Sequence, residues 1–183
     1  MLEQVGLSFV VRPVDVEELQ AGDPAAVAAE NARRKALAGT ASAPRGPDSA
    51  RPELVLGVDT LVTRKGVIYG KPPDEAAARE TLGRLGGAVH EVISGLALQG
   101  PAGLHSATVS TLVTMRPLSD VMLEAYLATG EWRDRAGGYA IQGRGALLIA
   151  DLHGDYPNVV GLPLRALHDL LQSTPLCSPF TWL

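Results

Sequence analysis

"AVHEVISGLALQGPAGLHSATVSTLVTMRP", residues 88–117, decides the fold class. Two long runs with strand-like alternation flank Gly100-Pro101-Ala102-Gly103, a turn signal. They read as one long antiparallel hairpin. Working outward, Asp74 caps a helix that ends at Gly86-Gly87. Before it stand the strand "ELVLGVD" and the ribbon "TLVTRKGVIYG", which reads as two short strands around Lys65-Gly66. After the hairpin, Ser119 caps "DVMLEAYLAT", stopped by Gly130. The glycine-rich "RAGGYAIQGRG" leads into a strand, "ALLIADLHG". "YPNVVGLP" reads as a turn into a final helix. Long hairpins and helices without strict βαβ alternation predict an α/β fold with a mixed sheet.

The N-terminal third fits the same class. "MLEQVG" looks like a last helical turn stopped by Gly6, and "LSFVVRP" reads as a strand closed by Pro13. Asp23-Pro24 opens a helix, "AAVAAENARRKALAG", expected to stop near Gly39. Residues 40–52 are expected to be a surface loop and 174–183 an irregular tail, within a single domain spanning 1–183.

The chain has 183 residues, enough for one ordinary core, and a formal charge of −4 from 16 basic and 20 acidic side chains. Mild acidity argues against a protein that coats nucleic acid, but small phosphorylated ligands need only a few local cations. The one cysteine, Cys177, makes neither an internal disulfide nor a cysteine-based zinc site. With no membrane-length apolar run and no signal pattern, the cytoplasm is the expected location.

Asp59 ends a buried strand, where a rigid carboxylate suits a metal ligand or general base. The same position suits a cap on the N–H of Leu61. Lys71 precedes Pro72-Pro73, which stiffen its backbone for contact with a phosphate; taken alone, the position favours a solvated turn lysine. Glu17 and Glu18 are plain surface charge or a second carboxylate beside a divalent ion. Asp134-Arg135 is a surface ion pair or a phosphate contact. In "AGGYAIQGRG" the glycines let backbone approach a flat ligand, and Gln142 offers a donor and an acceptor matching uracil or thymine. Its bland alternative is a bond to backbone. Lys35, on the first long helix, has no reading beyond a solvent-facing lysine. His90, His105, His153 and His168 are scattered without metal-ligand spacing, and neither a P-loop nor GxSxG occurs.

Four stretches together resemble one family: "GVDTLV", "GKPPDEAAARETLGRLGGAVHEVISG", "YLATGEWRDRAGGYAIQGRG" and "GDYPNVVGLPL". They look like the Maf family of nucleoside triphosphate pyrophosphatases, also called septum-formation inhibitor proteins, in the family's order over nearly the whole chain. The resemblance implies an elongated, inosine-triphosphatase-like α/β fold with two lobes around a nucleotide cleft. It implies hydrolysis of a nucleoside triphosphate to monophosphate and pyrophosphate with a divalent cation, Mg2+ or Mn2+. Asp59 falls at the family's proposed catalytic carboxylate and Glu18 at its upstream glutamate, both toward the metal. Lys35 and Lys71 fall at its phosphate-contacting lysines, and Lys71 also serves the catalytic step. Gln142 falls in its I-Q-G motif for base selection, in the form of the branch preferring dTTP and UTP. Arg135 stands where the family's D-K-A-G has lysine and keeps the charge.

The family opens with a strand and an S-x-S-P-R-R phosphate loop, and this sequence begins at the helical turn that follows them. Either the start lies further upstream, or the sheet loses a strand and the triphosphate loses cations. A second reading therefore stands beside the enzyme: a nucleotide-binding or division-regulating module that no longer hydrolyses. The partner expected is the nucleotide, with neither nucleic acid nor membrane; a homodimer is left open.

Overall fold

The computed structural model describes residues 1–42 and 54–174. Five strands, β1 (Val55–Arg64), β2 (Val67–Tyr69), β3 (Val89–Gly100), β4 (Gly103–Met115) and β5 (Ile149–His153), form one sheet in the order β2-β1-β3-β4-β5. The helices are α1 (Pro24–Ala41), α2 (Glu75–Leu85), α3 (Asp120–Leu127), α4 (Tyr156–Val160) and α5 (Leu164–Gln172). The α/β class is as expected, and every strand pair is antiparallel. The expected hairpin is β3–β4, turning at Gly100 and Gly103.

The sheet's two faces receive different partners because strand residues alternate. Val62, Val92 and Val113 join α2, α3 and the glycine-rich loop in the largest core cluster, with Leu82, Trp132 and Tyr139. Leu96 and Leu98 pack under α5 with Leu167 and Leu171. Leu61 and Ile93 instead meet Val27 and Ala28 of α1.

That α1 contact is unusually close. Ala28, Ala32 and Ala36 form an i, i+4 stripe and are fully buried. Opposite them the strands carry Gly57 and Gly95. A Cβ on Gly57 would lie 2.5 Å from the Ala36 nitrogen, and one on Gly95 2.5 Å from the Ala28 carbonyl carbon. Small residues on both sides bring helix backbone onto sheet backbone. In the β1–β3 register Asp59 pairs with Gly95, so Asp59 emerges on the face that α1 covers.

The expected caps form. Asp23 accepts from the Ala26 N–H, Asp74 from Ala77 and Ser119 from Met122. Gly6 adopts φ 76° and closes the opening turn, a single 3-10 turn over Glu3–Val5.

Several elements differ from expectation. Residues 7–13 form no strand: Phe9, Val10 and Val11 are 48%, 82% and 73% exposed, and no described strand pairs with them. Strand-forming side chains without a ladder do not make a strand. β1 runs unbroken into its turn rather than as two strands, and pairs with β2 only over Val62–Arg64. Helix α1 runs two residues past Gly39, to Ala41; a Cβ on that glycine would come 2.9 Å from Val55, so packing against the strand and not helix termination accounts for the glycine. The expected strand at 146–154 begins only at Ile149; Arg144–Leu148 is wound as a 3-10 turn. "YPNVV" is the helix α4, capped by Asp155 and stopped by Gly161 at φ 121°. The tail beyond 174, with Cys177, and most of the 40–52 loop lie outside the described residues.

Candidate active site

A recess of ≈ 650 Å³ opens beside β1, where no strand among the described residues pairs with its outer edge. Lys35, Asp59, Lys71, Arg135 and Gln142 all line it. Five of the six residues that the family resemblance singled out thus come together from α1, β1, the Lys-Pro-Pro turn and the glycine-rich loop. The sixth, Glu18, joins through Lys35.

The Lys35 Nζ lies 2.6 Å from Asp59 Oδ1 and 2.7 Å from Glu18 Oε1. Burial alone pushes the Lys35 ammonium down, but its bonds to Asp59 and then Glu18 outweigh this and hold its pKa above the usual lysine value. Lys35 is therefore not the silent surface lysine that its helix position suggests. Asp59 makes no cap to Leu61. Its other oxygen, Oδ2, accepts from Asn31 Nδ2 at 3.0 Å. Asn31 is 2% exposed and also bonds both backbone groups of Leu19, at 2.8 Å and 3.0 Å. Arg34 donates to the Glu17 carbonyl oxygen at 2.7 Å, so residues 17–19 are strapped along α1. Glu17 brings its carbonyl to this strap.

The far wall is the glycine-rich loop. Tyr126 Oη accepts from the Ala140 N–H at 3.1 Å. The Glu131 carboxylate accepts from Arg144 N at 2.7 Å and Gly145 N at 3.4 Å, which winds the chain there instead of extending it. Tyr139 Oη lies 2.8 Å from His90 Nε2, with the rings edge to face. Burial, then the charge of Arg64, pushes His90 down to about 4, so it is a neutral core residue. Burial likewise pushes the Tyr139 phenol up. Gly137, at φ 69°, sits where a Cβ would come 2.9 Å from Val62. These bonds hold the loop so that Gln142 stands exposed in the recess with no side-chain partner among the described residues, not bonded to backbone.

Lys71 is exposed and makes no ion pair among the described residues. Asp134 and Arg135 do not pair with each other; Asp134 takes φ 60°, and Arg133 lies 4.6 Å over the Trp132 ring. The recess thus presents cations at its mouth and a carboxylate at its wall.

The sequence reading missed Asn31, Glu131, Tyr126 and Tyr139. Asn31 carried one signal: an asparagine among alanines in a helix interior, one turn from Lys35, is a poor helix former.

No three His, Cys, Asp or Glu side chains cluster among the described residues. Asp59 and Glu18 nevertheless converge on one cation, the Lys35 ammonium. Two carboxylates suit a hard divalent ion, which takes one or two of them with water and substrate phosphate. Asp59 and Glu18 are the side chains that could hold such an ion.

The family model described as Maf-like protein matches residues 1–174. A dTTP/UTP pyrophosphatase of Symbiobacterium thermophilum is 43% identical over 173 residues, covering 93% of this chain and 86% of the relative. Its counterpart in Moorella thermoacetica is 45% identical over 175 residues, covering 93% and 87%. That of the archaeon Pyrococcus furiosus is 38% identical over 166 residues, covering 90% and 84%. With a match of this extent, the chain belongs to the Maf-like protein family.

Proposed function

We propose that this protein is a nucleoside triphosphate pyrophosphatase, a hydrolase that converts dTTP and UTP to the monophosphate and pyrophosphate. The observation that carries this is the recess itself: a fixed carboxylate, Asp59, faces a volume rimmed by Lys71, Arg135 and Gln142. Its ≈ 650 Å³ lies in the range of small-molecule sites. The similarity to proteins named dTTP/UTP pyrophosphatase supports the same reaction and does not favour a binding-only module.

In this reading water attacks the α-phosphorus. An O–P bond forms, the bond from that phosphorus to the α,β-bridging oxygen breaks, and pyrophosphate leaves with the electron pair. Asp59 orients the water and accepts its proton. Lys35 and Lys71 lie against phosphate oxygens and offset charge that grows on the leaving group. Arg135 adds a forked donor at the mouth. Gln142 reads the pyrimidine edge. Asp59 and Glu18 would hold a divalent ion, Mg2+ or Mn2+, which when bound supplies further charge neutralisation at the phosphates.

A cytoplasmic location is part of the proposal, because free nucleoside triphosphates are found there. No helix among the described residues is long and apolar enough to cross a membrane.

The test is pyrophosphate release from UTP, dTTP, CTP, ATP, GTP and 7-methyl-GTP, with Mg2+ or Mn2+. Release led by UTP and dTTP is expected. Silence on every nucleotide, from folded protein, would sink the enzymatic reading.

A further inference from the structure

Asn31 is a buried polar side chain whose amide makes three hydrogen bonds, with both of its N–H donors used. Its Oδ1 accepts from the Leu19 N–H at 2.8 Å. Its Nδ2 donates to the Leu19 carbonyl at 3.0 Å and to Asp59 Oδ2 at 3.0 Å. Turning the amide over would set its oxygen against the Leu19 carbonyl and the Asp59 carboxylate, and its N–H groups against the Leu19 N–H. The three partners therefore fix which atom is which.

These bonds close a ring. Lys35, one turn further along α1, bonds Asp59 Oδ1 and Glu18 Oε1. Asn31 takes the other Asp59 oxygen and both backbone groups of the residue after Glu18. One helix face thus grips each oxygen of one carboxylate and both ends of the neighbouring residue. If Asn31 only strapped the 17–19 segment, one N–H would suffice for the Leu19 carbonyl. The second N–H is directed at Asp59, which has no other donor on that oxygen among the described residues.

We propose that Asn31 is a positioning residue that fixes the plane of the Asp59 carboxylate and couples it to the segment bearing Glu18. The inference rests on Asp59 being the carboxylate that serves the attacking water. Each Asp59 oxygen accepts one protein bond, from Lys35 or from Asn31, and keeps a second lone pair for the reaction. With both bonds in place the carboxylate cannot turn about its broad terminal torsion. Without Asn31 it turns, and the water it presents is misaimed.

The experiment compares Asn31→Leu, Asn31→Asp and Asp59→Asn with the unaltered chain, using UTP and a divalent cation, per mole of protein shown folded by near-UV circular dichroism. Asn31→Leu keeps the branched shape of the side chain, though it is bulkier, and removes all three bonds. It is expected to lower kcat ~10–100-fold, as removal of outer supporting partners typically does, with KM within about threefold. Asn31→Asp, nearly isosteric, sets a second carboxylate against Asp59 and is expected to lower kcat further. It also carries the comparison should Asn31→Leu not fold. A role in folding alone predicts normal kcat per folded molecule in both variants. That result beside an inactive Asp59→Asn overturns the positioning role and leaves the Asp59 assignment standing. Turnover retained in Asp59→Asn overturns that assignment, and the Asn31 inference with it. A third arm adds Glu18→Gln to Asn31→Leu. Coupling through the ring predicts a combined loss smaller than the product of the two single losses. Independent, multiplying losses would remove the coupling to Glu18.

Discussion

A Cβ on Gly57 would overlap the carbonyl oxygen of Ala32, so these two residues set how closely α1 lies on the sheet. The contact is backbone against backbone, and no rotamer change relieves it. Gly57→Ala should push α1 outward and destabilise the protein by ~1–3 kcal/mol, the usual cost of overpacking. Because Asn31 and Lys35 ride on the same helix, activity should fall with stability. Urea unfolding and pyrophosphate release on the same preparation check this; an unchanged midpoint would show that the helix shifts freely.

His90 makes stability fall in acid. Burial, and then Arg64, holds its pKa at about 4 in the folded chain, below the ordinary histidine value of 6.5. Between those values the unfolded chain binds a proton that the folded chain refuses. Stability is thus present in full above pH 6.5, declines as pH falls toward 4 and levels off below. The loss from this residue is on the order of 3 kcal/mol. His90→Phe should start less stable at pH 7, lacking the bond to Tyr139, yet show a shallower decline. Parallel curves of urea midpoint against pH for the two proteins would remove His90 as the cause.

What was legible in the sequence was what local chemistry decides. Asp23, Asp74 and Ser119 cap the helices they precede, because a cap needs only the next turn. The β3–β4 hairpin was readable from alternation and its turn. Residues 7–13 misled because a strand is made by its neighbour, and no described strand lies beside Phe9, Val10 and Val11. Gly39 resembled a helix stop because its real reason, Val55, lies outside the helix. Residues 146–148 had the composition of a strand, but Glu131, 13 residues before Arg144, captures the N–H groups of Arg144 and Gly145 and starts a 3-10 turn that runs through to Leu148. At the site, resemblance supplied the residues proposed to meet a nucleotide and omitted those that hold them in place. Asn31 reaches partners 12 and 28 residues away, a relation that no spacing rule reveals.

Glu131 should matter through the loop and not through chemistry. Its Oε2 accepts from two consecutive N–H groups just after Gln142, and a Cβ on Gly143 would come 2.8 Å from its Cδ. Glu131→Ala leaves those N–H groups without their anionic acceptor and frees the loop. Bonds to charged groups contribute about 1.5–3 kcal/mol, so a rise of ~10–100-fold in KM for UTP is expected, with a smaller effect on kcat. Glu131→Gln, which keeps an acceptor oxygen, should recover much of the loss. Equal KM in all three proteins would separate Glu131 from substrate binding.

Gln142 should set base preference without setting rate. It is exposed in the same recess as Asp59 and Lys71, and its amide makes no bond among the described residues that a ligand would have to break. Uracil and thymine present a ring N–H beside a carbonyl, which one amide can satisfy at once. Gln142→Leu keeps the bulk and removes both bonds, leaving those base groups desolvated and unmet. A site built to hydrogen-bond its ligand loses most when that match fails. For UTP and dTTP, kcat/KM should fall by ~10–100-fold, the worth of one or two neutral hydrogen bonds. Purine nucleotides, which never made the match, should be turned over as before, so selectivity collapses while the phosphate chemistry survives. A uniform loss across all nucleotides would instead mean that Gln142 supports the loop. Unchanged selectivity would mean that the base is read elsewhere in the recess.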